Sequence, residues 1–208
     1  MKSLNVAAIA LLLVLGPTSV YCAESDSSPA TTTDITVASD STHFEKGNQT
    51  ISLSAGVHVP LFISDTSFNV TEPHLYTGAL FSFTYQDFIA PGLAIGGTLS
   101  GAFEQSIAAS SFFIAPLSFR CAYWWNLGPF DADLAAEAGA YIMRYTSNNA
   151  YGPFFKLGGG ASWRISNSWS IGLEPYYWLV PEIHTGSSAS LTRFGNFLEV
   201  SLSASYHL

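Results

Sequence analysis

Charge is what this chain has least of. Asp, Glu, Lys and Arg make up 11% of its 208 residues, with 7 basic side chains against 15 acidic ones. A soluble surface usually carries roughly 25–35% of these residues, so a water-bathed globule fits poorly. The scarcity of base also excludes the phosphate-binding stripe that a nucleic-acid partner needs. Cysteine is nearly absent, at 2 residues. Because Cys22 falls in what reads as a leader, no disulfide framework stands. Cys121 lies on an apolar strand face and reads as a small hydrophobe, not a reactive thiol. Long apolar runs are missing as well. Beyond the leader, no stretch approaches the roughly 20 residues of a membrane helix.

The leader is Lys2, an apolar run from Val6 to Leu15, then Gly16, Pro17 and a polar shift at Glu24. This is the plan of a signal peptide over residues 1–23, too short to span a bilayer. Tyr21 beside Cys22 is bulky where a lipidation signal wants a small residue, which argues against an acyl anchor. Residues 24–48 are rich in Ser, Thr and Asp and read as a disordered acidic tail, unable to bury a core. Residues 49–208 form one domain.

That domain alternates. Ile51, Leu53, Ala55, Val57, Val59 and Leu61 open an every-second-residue apolar series, and Val200, Leu202, Ala204, Tyr206 and Leu208 close it. A period of two means strands with unlike faces. Eight such segments are expected, at 49–62, 75–86, 93–103, 112–125, 131–144, 152–165, 169–179 and 194–208. The fifth is Ala-rich and could pass for helix on propensity, but its period and its neighbours make it a strand. Short turns at 87–92, 126–130 and 166–168 alternate with longer connections at 62–74, 104–111 and 180–193 and a short link at 146–151. Short turns at one end and long loops at the other describe an up-and-down meander closed in a membrane.

The polar face is mostly Gly, Ser and Thr. A lipocalin-like barrel would point its apolar face inward and charges outward; this polar face makes a poor water surface but a good tight interior. The apolar face reads as free of charge in all eight segments, as a lipid-facing wall must be. Aromatics gather at strand ends (Tyr123, Trp125, Trp163, Trp169, Tyr177), where girdles meet headgroups. The fold class expected is all-β: an eight-stranded antiparallel up-and-down transmembrane β-barrel with a disordered N-terminal tail.

The domain, residues 49–208, resembles the small outer-membrane barrel families OmpX, OmpW and the membrane domain of OmpA, with small spirochaetal barrels nearest in character. The closing series Val200, Leu202, Ala204, Tyr206 and Leu208 is similar to the signal read by the barrel assembly machinery, with Leu208 in place of the usual Phe. The resemblance implies an outer membrane of the Gram-negative type, extracellular loops, periplasmic termini, and outer-membrane lipid and the assembly machinery as partners. It also implies, from OmpW-like barrels, an apolar mouth that admits small hydrophobic ligands.

Eight strands leave a lumen that side chains fill. If the 126–131 turn is symmetric, Arg120 faces Glu137; with Arg164, Glu174 and Glu199 it forms an expected ionic cluster, whose plain reading is mutual neutralisation of buried charge. Toward the long loops the same face carries Tyr76, Leu80, Ile114, Tyr141, Met143, Phe154, Tyr176, Trp178 and Phe197. Two readings fit these residues: an apolar ligand mouth, or packing that plugs the lumen. The long loops give a further reading, adhesion to a host surface molecule. Glu182, His184, Ser187 and Ser188 share one loop, but their spacing matches no hydrolase motif, so no enzyme is expected. His43, His58, His74 and His207 lack metal-ligand spacing and read as isolated polar residues. No cofactor or metal is expected.

Overall fold

The computed structural model describes residues 44–108, 110–145 and 148–208. The leader 1–23 with Cys22, and the tail as far as His43, lie outside the described residues. Among these residues the strands are β1 (Gln49–Asp65), β2 (Val70–Thr71), β3 (Gly78–Ala90), β4 (Leu93–Gln105), β5 (Ser111–Leu127), β6 (Phe130–Tyr145), β7 (Asn148–Arg164), β8 (Trp169–Glu182) and β9 (Arg193–His207). All pairings are antiparallel, and β1 pairs with β9, closing the sheet. β2 is a two-residue arm beside the end of β1, at Ile63↔Thr71 and Ser64↔Val70. The other eight strands make the barrel wall. Each of the eight expected segments is one of these strands, the Ala-rich β6 included.

Strand ends differ from expectation in informative ways. β3 runs on to Ala90, so the turn shrinks to Pro91–Gly92 between the paired Ala90 and Leu93. Gly92 has φ 74, a conformation that costs L side chains dearly, and a Cβ there would lie 2.8 Å from the Trp124 carbonyl oxygen. At the other end β3 begins at Gly78 rather than residue 75. The β1–β3 ladder ends at His58↔Gly78, and above it β1 pairs with β2 instead. The 146–151 link is shorter than expected because β7 already begins at Asn148.

The two faces separate as the alternation demands. Leu53, Phe81, Leu99, Leu117, Phe119, Leu157, Leu173 and Leu202 are exposed on the outside, while Ser52, Ser82, Thr98, Ser118, Ser170 and Ser203 are buried within. A row of exposed Leu and Phe around a closed sheet has one suitable solvent, hydrocarbon. The free Cys121 sits on this outer face. The reading of an uncharged outer face needs correction at both rims: Asp87 takes the outward phase of β3 near the short turns, opposite Gln49 and Ile95, and Arg144 takes that of β6, opposite Phe113 and Asn149. Arg144 stands next to the last residue of β6, at the long-loop rim, where charge costs little. Tyr123 and Trp125 meet edge to face at 4.9 Å, and Trp169 packs on Tyr206 at 5.0 Å. Both pairs stand at the short-turn end, as an aromatic girdle.

Residues Phe44 to Asn48, counted with the tail in the sequence reading, are folded against the short-turn end. Gly47 N donates to Phe88 O at 2.8 Å, and Gly92 N donates to Phe44 O at 2.8 Å. The buried Phe44 ring packs on Trp124 at 5.2 Å and Phe88 at 5.3 Å. A ring from outside the wall therefore packs on the inward rings at that end.

Leu117 is 64% exposed near the middle of β5. Leu117→Arg should lower the folding free energy in lipid vesicles by about 2–4 kcal/mol, measured by urea titration of tryptophan fluorescence. Ser82→Ala, at a small side chain buried on the lumen face of β3, should change it by much less.

Candidate functional site

The inward side chains sort into three layers. The middle one is ionic and hangs on Arg120, which β5 aims into the lumen opposite Glu137 on β6. Its Nη1 donates to Glu137 at 2.9 Å, its Nη2 to Asp133 at 2.9 Å and to the Tyr176 hydroxyl at 2.7 Å, and its Nε to Gln86 at 3.2 Å. Lys156 completes the layer, with Nζ 2.9 Å from Glu199 and 3.8 Å from Glu137 and 4.2 Å from the Tyr176 ring centre. Two cations thus face three carboxylates, and neutral donors share the rest. Ser118 donates to Glu137 at 2.7 Å, while the Trp178 indole and Ser201 donate to Glu199 at 2.6 and 2.9 Å.

The expected cluster is thus partly assembled. Arg120, Glu137 and Glu199 belong to it. Arg164 does not: it pairs with Asp131 at 2.6 Å, one layer nearer the short turns, and its guanidinium lies over the Phe44 ring at 5.8 Å. Glu174 borders the layer without a direct ion pair: it packs with Asp133 beside Gly160, feels the charge of Arg120, and accepts a hydrogen bond from Ser54 at 3.3 Å. Lys156, Asp133 and Asp131 were missed, although the strand phase alone turns all three inward.

Above the ions lies an aromatic layer. His58 is not isolated: its Nδ1 and Glu104 Oε1 are 2.6 Å apart, with both side chains 0% exposed. β3 lies between their strands, and its residue in that row is Gly78. A Cβ on Gly78 would come within 2.5 Å of the Glu104 Cγ, so only a glycine leaves room for the bond across the strand. The His58 ring stacks on Phe197 at 4.7 Å and tilts against Trp178 at 4.5 Å. Phe154 meets Trp178 edge-on at 4.9 Å. His207, also read as isolated, lies 3.0 Å from the Ser170 hydroxyl near the short-turn end.

Between this layer and the long loops is a cavity of about 380 Å³. Ile63, Leu75, Phe112, Tyr141, Met143, Val180 and Phe197 line it, with His74, Asn149, Glu182 and Arg193 among its polar residues. Of the nine residues expected at an apolar mouth, Tyr141, Met143 and Phe197 line this cavity. Leu80, Ile114, Phe154 and Trp178 are buried in the apolar core. Tyr176 sits lower, in the ionic layer. Tyr76 is not inside at all: it is 58% exposed, in the loop before β3. Ile63 and Val180 were missed because their strands run further toward the loops than the sequence limits suggested; Phe112 opens its expected strand and was passed over although its phase turns it inward.

Among the loop residues considered for catalysis, His184 lies 3.2 Å from Glu182 and its backbone N donates to Thr192 Oγ1. Ser187 and Ser188 sit in the 3-10 turn Gly186–Leu191. No group of three or more metal-ligating side chains occurs among the described residues.

Comparisons with known proteins agree with this architecture. A family model matches residues 31–206. A protein of Treponema pallidum (strain Nichols), described only as uncharacterized, is 25% identical in an alignment of 187 positions that covers 78% of this chain and 64% of that protein. This chain therefore spans just under two thirds of that relative. Among solved structures, Neisserial surface protein A superposes with a TM-score of 0.53 at 11% identity, over 77% of this chain and 97% of that one. OprG of Pseudomonas aeruginosa gives 0.49 at 7% identity, over 79% and 97%. At these identities the first likeness speaks for the fold, and the fold agrees with the apolar outer wall and packed polar lumen described above. The chain belongs to the family matched over residues 31–206, and it is a transmembrane β-barrel of the small eight-stranded outer-membrane type.

Proposed function

We propose that this barrel is closed to through-flow and uses its long-loop mouth to hold a small apolar molecule, with the loops outside the cell and the termini in the periplasm. One observation carries the reading: a cavity of about 380 Å³ with mainly apolar lining, above a buried floor of rings. The volume lies near the lower end of ligand pockets, roughly 300–1,000 Å³. Below it, the His58–Glu104 row, Trp178 and the ionic layer leave the lumen to side chains, and Phe44 packs on the inward rings at the far end. The ionic layer acts as a structural plug, with its carboxylates held by two cations and by neutral hydrogen-bond donors.

A second reading rests on the loop from Asp65 to Asn69. Asp65 Oδ1 accepts from Ser67 N and Asn69 N at 2.8 and 2.9 Å, and Oδ2 accepts from the Asn69 amide at 2.9 Å. These bonds, the Asn69 side chain foremost, hold the Asp65 carboxyl below the usual carboxylate range. They fix a tight loop in which Phe68 takes φ 61 and is 88% exposed. A rigid loop presenting a bare ring suits contact with a host surface molecule.

Wild-type protein in planar bilayers should show no steady conductance, and a stable open channel would defeat the plug. With Trp124, Trp125, Trp163 and Trp169 changed to Phe, Trp178 fluorescence should respond saturably to small apolar ligands; a flat response across a ligand series counts against the mouth. Arg120→Met leaves Glu137 and Asp133 short of a partner and should cost about 3–5 kcal/mol in urea titrations. The double change Arg120→Met with Glu137→Gln should recover part of that loss. For the loop, Phe68→Ser should lower attachment to host cells at unchanged surface expression.

A further inference from the structure

The cavity has an ordered floor, and the order has a chemical meaning. Phe112 and Phe197 both line it, with ring centres 6.3 Å apart and planes inclined by 23°. Phe197 in turn stacks on His58 at 4.7 Å and 17°. Three rings from β5, β9 and β1 therefore form one nearly parallel column, whose outer members face the empty space. At its inner end the column is fixed by the 2.6 Å contact of His58 with Glu104, which the missing side chain of Gly78 allows. Two further walls are rings whose orientation is set elsewhere. The Tyr141 hydroxyl donates to Pro181 O at 2.9 Å, turning its polar end toward the backbone. Tyr145 stands tilted by 57° to Phe112 at 6.5 Å. Met143 adds a thioether, which contacts aromatic edges favourably.

We propose that the mouth selects flat aromatic molecules of one or two fused rings over aliphatic molecules of the same size, the ligand ring continuing the Phe112–Phe197–His58 column. This rests on the reading of the cavity as a small-molecule site and names the class of molecule that site takes. An aliphatic guest would gain the same burial of apolar area, since that term ignores ring shape. An aromatic guest adds offset stacking on Phe112, the end of the column, and edge contacts with Tyr145. Such pairs carry about 0.5–1.5 kcal/mol beyond area, which is a preference of roughly 2- to 12-fold in Kd. Because the rings already stand in place, little ordering is lost on binding.

The test compares 2-naphthol with decahydro-2-naphthol, which share a skeleton and a hydroxyl but differ in flatness and π-face. The full-length barrel in lipid nanodiscs, labelled with 13C-methyl methionine, reports through Met143; Met1 is the other methionine in the sequence. The expected result is a saturable upfield shift of the Met143 methyl with 2-naphthol and a Kd at least about twofold tighter than for the saturated compound. Phe112→Leu keeps an apolar wall and should abolish the preference. If the two Kd values are equal, or the saturated compound binds tighter, the aromatic class is wrong while the site stands. Preference retained in Phe112→Leu removes the ring column as its cause. If neither compound shifts Met143 saturably, the mouth itself is refuted. Should Phe112→Leu fail to fold, the comparison in the wild-type barrel still decides between the classes.

Discussion

A backbone in hydrocarbon has no water to satisfy its N–H and C=O groups, so a strand there must find partners along both edges. That demand is met here by the ladder between β1 and β9, which runs from Thr50↔His207 to Asp65↔Arg193. Much else depends on that closure. Without it two edges would face lipid, and the outer Leu and Phe surface would have no place to go. With it, the number of strands fixes the bore of the lumen, and the bore fixes what the inward residues can do. Eight strands make a space that side chains fill.

In so narrow a space a charge has to be answered by its neighbours. Arg120 is the clearest case: it donates to four different side chains on β3, β6 and β8. Small residues make the reach practicable. Across the ionic layer Gly158 and Gly160 alternate with Lys156 on β7, and Gly160 leaves room for Asp133 and Glu174, whose atoms would stand 3.0 Å from a Cβ there. The same device recurs at Gly78, where a bare position joins His58 to Glu104. Long polar side chains and absent ones thus work as a pair, and the second sets how far the first can extend.

The architecture was legible in the sequence because a two-residue period is a property of each strand by itself. It gave all eight barrel strands, and the 126–131 turn gave the Arg120–Glu137 pairing, since a tight hairpin fixes register locally. Strand ends were less legible. Tyr76 keeps the inward phase on paper, but β1 has already exchanged β3 for β2 at that height. Contacts across several strands were harder still. His58 and Glu104 are 46 residues apart, and nothing local to either names the other. Lys156 was visible on the polar face, but its role between Glu137 and Glu199 depends on how strands from distant parts of the chain align. Phe44 lay in a Ser/Thr-rich stretch with no period to mark it.

The ladder that closes the barrel also joins residues as far apart as Thr50 and His207, 157 positions along the chain. Neighbouring hairpins can form early and cheaply, because their loops are short. The last seam cannot, since its two strands must find one another after the strands between them are aligned. Topologies dominated by such distant pairings fold slowly. Until the seam forms, β1 and β9 each carry a row of open hydrogen-bonding groups, the usual template for joining another chain. The interval before closure is therefore when this protein is most exposed to mispairing, and a chaperone that shields those two edges would act on the slowest part of its assembly.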